Sequence, residues 1–278
     1  MRRLALPLLL LLAPLLAFAQ VDLNVATYNL RYDNPNDGKN VWPARRDAMR
    51  ALVRYHEFDL WGTQEGLTNQ LNDLGALNEY AHVGVGRDDG KDAGEHSAIF
   101  YRRDRFVLED HGDFWLSTTP EKPSMGWDAR CCKRIATWAR LRDKPSGKVF
   151  VALNAHFDHE GVVARRESAK LLVARGRALA GKLPLIVMGD FNSTPDSEAY
   201  ATVNADLRDA RTISQTPPYG PVATFNDFNI SKPAEERIDY IFLTPQWQVL
   251  RYAVLTDSID ARYPSDHFPV LTRLRLSN

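Results

Sequence analysis

Cysteine is almost missing: 278 residues hold two, and they are neighbours, Cys131 and Cys132. Adjacent thiols that join close an unusual, strained ring, so they make poor material for a disulfide framework. The expectation is two non-catalytic thiols in or beside a loop. Further ligands close in sequence are lacking too, which argues against a cysteine-based metal site. An excess of one charge is also missing, since 35 Lys and Arg stand against 35 Asp and Glu. The broad basic surface of an avid nucleic-acid binder is therefore excluded, whereas a locally positive site is not. Linkers, internal repeats and low-complexity stretches are absent as well.

The N-terminal apolar run is too short to span a bilayer, which needs about 20 residues. It extends from Leu4 to Leu16, broken by Pro7 and Pro14, after a basic Met1-Arg2-Arg3 and before Ala17-Phe18-Ala19. Basic, apolar, then small-x-small is the order of a secretory signal peptide, with cleavage expected after Ala19. A lipid anchor would need a Cys at that point, and none is there. The expected organisation is a signal peptide at 1–19 and a single domain at 20–278, in the periplasm or secreted. Removing Arg2 and Arg3 leaves 33 basic against 35 acidic side chains, a net charge near −2. Composition is otherwise ordinary, with 44% hydrophobic and 25% charged residues, enough to bury a sizeable core.

Strand-like and helix-like segments alternate along the chain. Val21 to Leu30, Leu60 to Gln64, Ala98 to Arg102 and Leu185 to Met188 read as strands. Ile135 to Leu141 and Val149 to Phe157 flank Pro145-Ser146-Gly147 and read as an antiparallel hairpin. Ile238 to Leu243, Gln248 to Leu255 and Pro269 to Leu276 complete the strands. Helices are expected from Pro43, with Met49, Leu52, Val53 and His56 on one face, around Leu67, Leu71 and Leu74, and over Arg165 to Leu179. Hairpins mixed with strand–helix alternation argue for α/β architecture with mixed sheets.

Several strands end in residues that carry chemistry. A hard cation such as Mg²⁺ takes oxygen ligands, typically one or two carboxylates beside a substrate phosphate. Glu65 and Asp266 suit that task, and Asn29 could add an amide oxygen, although an Asn at a strand end alone reads as a turn residue. Asp190 and Asn192, two apart on extended backbone, share a face. They suit an acid that activates water beside an amide that donates to a phosphoryl oxygen. Taken alone, Gly189-Asp190-Phe191-Asn192 also reads as an Asx turn. His156 and His267 could bind phosphate or donate a proton, with Glu95 orienting the first and Asp239 the second. The other five, His56, His82, His96, His111 and His159, read as structural. Arg31, Arg134 and Trp127 are candidates for substrate contact. Tyr32, Trp42 and Trp115 could stack a base, whereas Trp61 and Trp138 sit in strand-like runs and read as core.

In order along the chain, Thr27-Tyr28-Asn29, Gln64-Glu65, Asn154-Ala155-His156, Gly189-Asp190-Phe191-Asn192, Arg237-Ile238-Asp239-Tyr240 and Ser265-Asp266-His267 resemble the motifs of the endonuclease/exonuclease/phosphatase superfamily. That superfamily includes pancreatic-type DNases, inositol-polyphosphate 5-phosphatases, neutral sphingomyelinases and deadenylases. The resemblance implies a four-layer α/β/β/α sandwich of two packed mixed sheets and dependence on Mg²⁺ or Mn²⁺. It further implies Asn29, Glu65 and Asp266 near the metal, Asp190 at the water, Asn192 and His156 at the phosphate, and an Asp239–His267 pair. Phe157-Asp158-His159-Glu160-Gly161 is most similar to an exported bacterial branch with some likeness to deadenylases. No long apolar hairpin of the sphingomyelinase kind is present. The first expectation is a monomeric phosphodiesterase acting on short or single-stranded nucleic acid, without stable membrane insertion. Open beside it stand a phosphomonoesterase of sugar, inositol or lipid head-group phosphates and, more remotely, a non-catalytic binding protein.

Overall fold

The structure is a computed structural model that describes residues 22–276; the expected signal segment lies outside them. The strands are β1 (Asp22–Asn29), β2 (Leu60–Gln64), β3 (Tyr80–Val83), β4 (Ile99–Arg102), β5 (Phe106–Trp115), β6 (Ile135–Asp143), β7 (Val149–His156), β8 (Leu185–Asp190), β9 (Arg208–Asp209), β10 (Asp239–Leu243), β11 (Trp247–Val254) and β12 (Val270–Leu276). They form two six-stranded sheets, ordered β11-β12-β1-β2-β4-β3 and β5-β6-β7-β8-β10-β9. The second sheet comes from the unbroken middle of the chain, and the first from both ends. Each is mixed, with one parallel pair, β1–β2 or β7–β8, among antiparallel neighbours.

Three apolar clusters define the layers. Leu23, Val25 and Leu60 of the first sheet pack on Phe150, Ile186 and Ile241 of the second. Helices α1 (Trp42–Tyr55) and α2 (Thr68–Leu74) cover the outer face of the first sheet through Met49, Leu52 and Leu71 against Tyr28 and Trp61. Helices α3 (Val162–Ala180) and α4 (Glu198–Asp206) cover the second through Leu172 and Val203 against Leu153 and Phe242. The result is a four-layer α/β/β/α sandwich. None of the described helices is long and apolar enough to cross a membrane.

Strand alternation explains where the polar motifs land. Residues two apart share a face, and Leu23, Val25, Ile186, Met188, Leu243 and Ile241 all lie in the inter-sheet cluster. Continuing each series by twos leads to Asn29 on β1, Asp190 on β8 and, running backward, Asp239 on β10. The same step from Phe150 and Ala152 leads to Asn154 and His156. One edge of the inter-sheet core thus becomes polar where these strands end. Below it, Gln64 donates to Thr27 at 3.0 Å and to Asn154 at 2.7 Å, a buried amide contact between the sheets. A Cβ at Gly62 would stand 2.6 Å from Cγ of Asn154, so that contact requires glycine. Gly189 has φ +148°, and a Cβ there would stand 2.0 Å from the Ala155 carbonyl oxygen. The glycine of Gly-Asp-Phe-Asn is therefore a backbone requirement.

Two findings differ from expectation. β3 and β5 have no clear sequence signature: both are edge strands, and β5 alternates poorly, with a bulge between Leu108 and Asp110. Cys131 and Cys132 are joined by a disulfide rather than standing as two thiols.

Candidate active site and metal centre

Asp190 is the centre of the polar edge. In the ladder it faces His156 of β7 on one side and Asp239 of β10 on the other. Its Oδ1 accepts from the Asn192 backbone N–H at 2.9 Å and its Oδ2 from Asn29 Nδ2 at 2.9 Å. The Nε2 atoms of His156 and His267 lie 3.7 and 3.8 Å from that Oδ2. Burial first, and then the charge of Asp239, push the Asp190 carboxyl up to about 7. A carboxyl poised near neutrality suits a general base.

The two histidines are held in opposite protonation states. Burial opposes a charge on His267, but Asp239, 2.9 Å from its Nδ1, together with Asp190 and Asp266, holds its pKa well above the ordinary value. Burial, then Arg134 and Arg87, hold His156 well below. His156 Nε2 lies 3.1 Å from Asn192 Nδ2, and Arg134 Nη1 lies 3.2 and 3.1 Å from its Nδ1 and Nε2, so donors crowd the ring and favour the neutral imidazole. Glu95 lies 3.7 Å from this Nδ1, and its closer partner is Arg87 at 2.6 Å. At that distance Glu95 makes no hydrogen bond to His156, and its carboxylate is held by Arg87 instead of orienting the imidazole as anticipated. Asn192 also departs from expectation, because its amide group donates to Phe157 O at 3.0 Å as well as to His156, which fixes the imidazole.

On the other sheet, Glu65 follows β2 with φ 63°. Its carboxylate accepts from Asn29 Nδ2 at 3.0 Å and from the Tyr32 backbone N–H at 3.1 Å. Asn29 Oδ1 accepts from the Arg31 backbone N–H, so the amide oxygen anticipated for a cation is engaged there. Asp266 is pushed up to about 6 by burial, with Glu65 raising it and His267 lowering it. Oxygen atoms of Glu65 and Asp190 and a ring nitrogen of His156 lie within 4.8 Å of one another. Buried carboxyls that repel one another's ionisation, with oxygen donors, fit a hard divalent cation. Glu65 and Asp266 are the residues that would hold it.

Arg45 of α1, for which the sequence carried no signal, braces this half. Only 4% exposed, it donates to the carbonyls of Leu30, Arg31, Asn40 and Pro264. It thereby ties the segment after Asn29 to the one before Ser265-Asp266-His267.

These side chains open into a cavity of about 590 Å³. Arg31 lines it, but its guanidinium is spent on Asp37 through two bonds of 2.9 Å. Arg134 lines it too, 4% exposed, donating to His159 Nδ1 at 2.7 Å, lying 3.1 Å from His156 Nε2 and 3.3 Å from Asp158. His159 is thus a lining residue, contrary to its structural reading, as are the unanticipated Arg87, Phe225 and Phe228. Trp127 is not among the lining residues; the loop there is drawn to α3, where Asp128 accepts from the Val163 and Ala164 N–H groups. Trp42 and Trp115 are buried, bonded to Asp73 and to the Arg87 carbonyl, so neither offers a face to a base. Of the nine non-glycine residues with positive φ among the described residues, Arg31, Glu65, Asn192, Asp227 and Phe228 line the cavity. Backbone strain of about 1–3 kcal/mol each is concentrated there.

Sheets, carboxyl-rich centre and paired histidines together describe a phosphoester-hydrolase scaffold. The chain belongs to the endonuclease/exonuclease/phosphatase family, whose profile matches residues 26–267; members are phosphoester hydrolases that use divalent metals. It is 43% identical to a family member from Bacteroides thetaiotaomicron, with a TM-score of 0.91 over 94% of this chain and 100% of that one. It is 44% identical to a mannosyl-6-phosphatase of the same species, with a TM-score of 0.87 over 91% and 99%. Nocturnin of Drosophila melanogaster is 26% identical over 64% of this chain and 32% of its own length, so the chain spans about a third of that relative.

Proposed function

We propose that this protein is an exported, Mg²⁺-dependent phosphomonoesterase that removes phosphate from a sugar. The observation that carries the reading is Arg134, buried at the His156 side of the cavity beside His159. A monoester dianion has one more non-bridging oxygen than a diester, so one is left for this guanidinium after the cation and His267 have taken theirs. The cavity of about 590 Å³ suits one small ring with its phosphate. The 44% identity to a mannosyl-6-phosphatase supports the same choice over the nuclease first expected from the sequence. Export is supported by the order of the first 19 residues and by the Cys131–Cys132 disulfide, a bond that persists in oxidising compartments.

In this reading Asp190 takes a proton from the attacking water, and the His267 imidazolium, held by Asp239, stabilises charge gathering on the phosphoryl group. Arg134 and His156 orient the remaining oxygens. Glu65 and Asp266 would hold the cation, which would supply charge neutralisation at the phosphate. The test is a panel of hexose phosphates, inositol phosphates, nucleotides, RNA and single-stranded DNA with the purified protein and Mg²⁺ or Mn²⁺. Hydrolysis of hexose phosphates, lost at least about 10²-fold in Asp190→Asn, is expected. Preferential cleavage of a polynucleotide would overturn the reading.

A further inference from the structure

Cys131 and Cys132 close a ring that includes the peptide bond between them. Cys132 lines the catalytic cavity, and Cys131 Sγ lies within 4.8 Å of an Asp158 carboxylate oxygen and a His159 ring nitrogen. Those two residues are the partners of Arg134, which follows the pair by two positions. Nearby chain is well anchored: Leu116 N–H donates to the Arg134 carbonyl at 2.8 Å, and Lys133 Nζ to the Asp88 carbonyl at 2.7 Å. Across Asp190, at the His267 side, stands Phe225, whose ring lies 5.1 Å from that imidazole. The cavity beyond the phosphate-binding groups is therefore flanked by apolar matter on two sides, a disulfide and an aromatic ring.

We infer that the Cys131–Cys132 disulfide is a substrate-binding element, packing its sulfur surface against the ring of the sugar whose phosphate Arg134 receives. This rests on the phosphomonoesterase reading and adds to it what selects the leaving group. A disulfide has no N–H or O–H, is polarizable, and makes close dispersion contacts with C–H groups, which a pyranose presents on its faces. Closure into a ring removes the rotamer freedom that free cysteine side chains would lose on contact, so the surface is preorganised. Cys131 is exposed and Cys132, which lines the cavity, is half-buried, so the pair sits at the rim.

The test compares the parent with Cys131→Ala/Cys132→Ala on a hexose 6-phosphate and on glycerol 1-phosphate, which shares the primary ester but has no ring. Inorganic phosphate serves as a competitive inhibitor reporting on Arg134. The expected result is a fall in kcat/KM of about 10-fold or more for the hexose phosphate, chiefly through KM, the usual scale for one lost apolar contact. Glycerol phosphate turnover and phosphate inhibition should stay within about twofold of the parent. Reduction of the folded parent's disulfide gives the same comparison without a substitution. An equal loss on both substrates with weaker phosphate inhibition would mean that the pair only holds Arg134, and would overturn the inference. An unchanged preference in a variant of an active parent would overturn it alone. A parent inactive on every phosphomonoester would overturn the proposed function as well.

Discussion

Replacing Asp239 with Asn removes one negative charge and little else, because the amide oxygen can still accept from His267 Nδ1. The charges now sit 2.9 Å apart, where Coulomb's law at an effective dielectric of about 20 gives about 6 kcal/mol. At about 1.4 kcal/mol per decade this is a ceiling of about 10⁴-fold in rate. A retained neutral hydrogen bond recovers part of it, so kcat should fall between about 10²- and 10⁴-fold. Two titrations should move as well. Burial disfavours the His267 charge, and with Asp239 neutral the imidazole should lose its proton at lower pH than in the parent. Asp190, raised to about 7 partly by Asp239, should ionise at lower pH too. Histidine NMR titration and the pH profile of kcat measure both. A folded variant with parental kcat, or with an unmoved His267 titration, would refute the account of this pair.

Cation affinity should rise as pH increases through about 6 to about 7, because Asp266 and Asp190 hold protons below those values and a cation must displace them; calorimetric titration with Mg²⁺ at several pH values checks this, and a pH-independent affinity contradicts it. Glu65→Gln should weaken Mg²⁺ binding at neutral pH while leaving thermal stability near that of the parent. Gly189→Ala should destabilise by upwards of about 3 kcal/mol in denaturant unfolding, because strain and a backbone clash coincide there. Arg45→Met leaves the carbonyls of Leu30, Asn40 and Pro264 without this donor, at about 1–3 kcal/mol per unsatisfied group, while Gln70 still serves that of Arg31; stability and Mg²⁺ affinity should fall together, and an intact affinity would separate Arg45 from the site.

Much of the fold could be read from the chain because the site-bearing strands are apolar runs with a polar end. Leu185 to Met188 before Asp190, and Leu60 to Gln64 before Glu65, carry both signals in one place. β5 could not be read this way: Phe106–Trp115 holds Glu109, Asp110, His111 and Asp113 on a half-solvated edge where burial does not enforce alternation. The site divides likewise. Residues at strand ends announce themselves, whereas His159, Arg87 and Phe225 belong to loops, and only the docking of β7, β8 and β10 makes them neighbours. Arg45 is the extreme case, a cation between Ala44 and Arg46 whose burial depends on carbonyls as distant as Pro264. The joining of Cys131 to Cys132 has no local signature either, since the loop around them is anchored from a distance, by Leu116 at the Arg134 carbonyl and by Lys133 at that of Asp88.

Asn29, Glu65, Asp266 and His267 belong to the first sheet or its adjoining loops, and His156, Asp190, Asn192 and Asp239 to the second. Hydrogen bonds stitch the halves together, among them Asn29 to Asp190, Gln64 to Asn154, Asn154 to the Thr63 and Ala98 carbonyls, and Asp239 to His267. Neither half holds a complete centre, so activity is a property of the joint. Since one sheet is the contiguous span 106–243 and the other combines the two flanking segments, the protein resembles a clasp whose jaws are separately encoded. Turnover then reports their closure, and a chain that has secondary structure without mating its sheets would be silent in any hydrolysis assay.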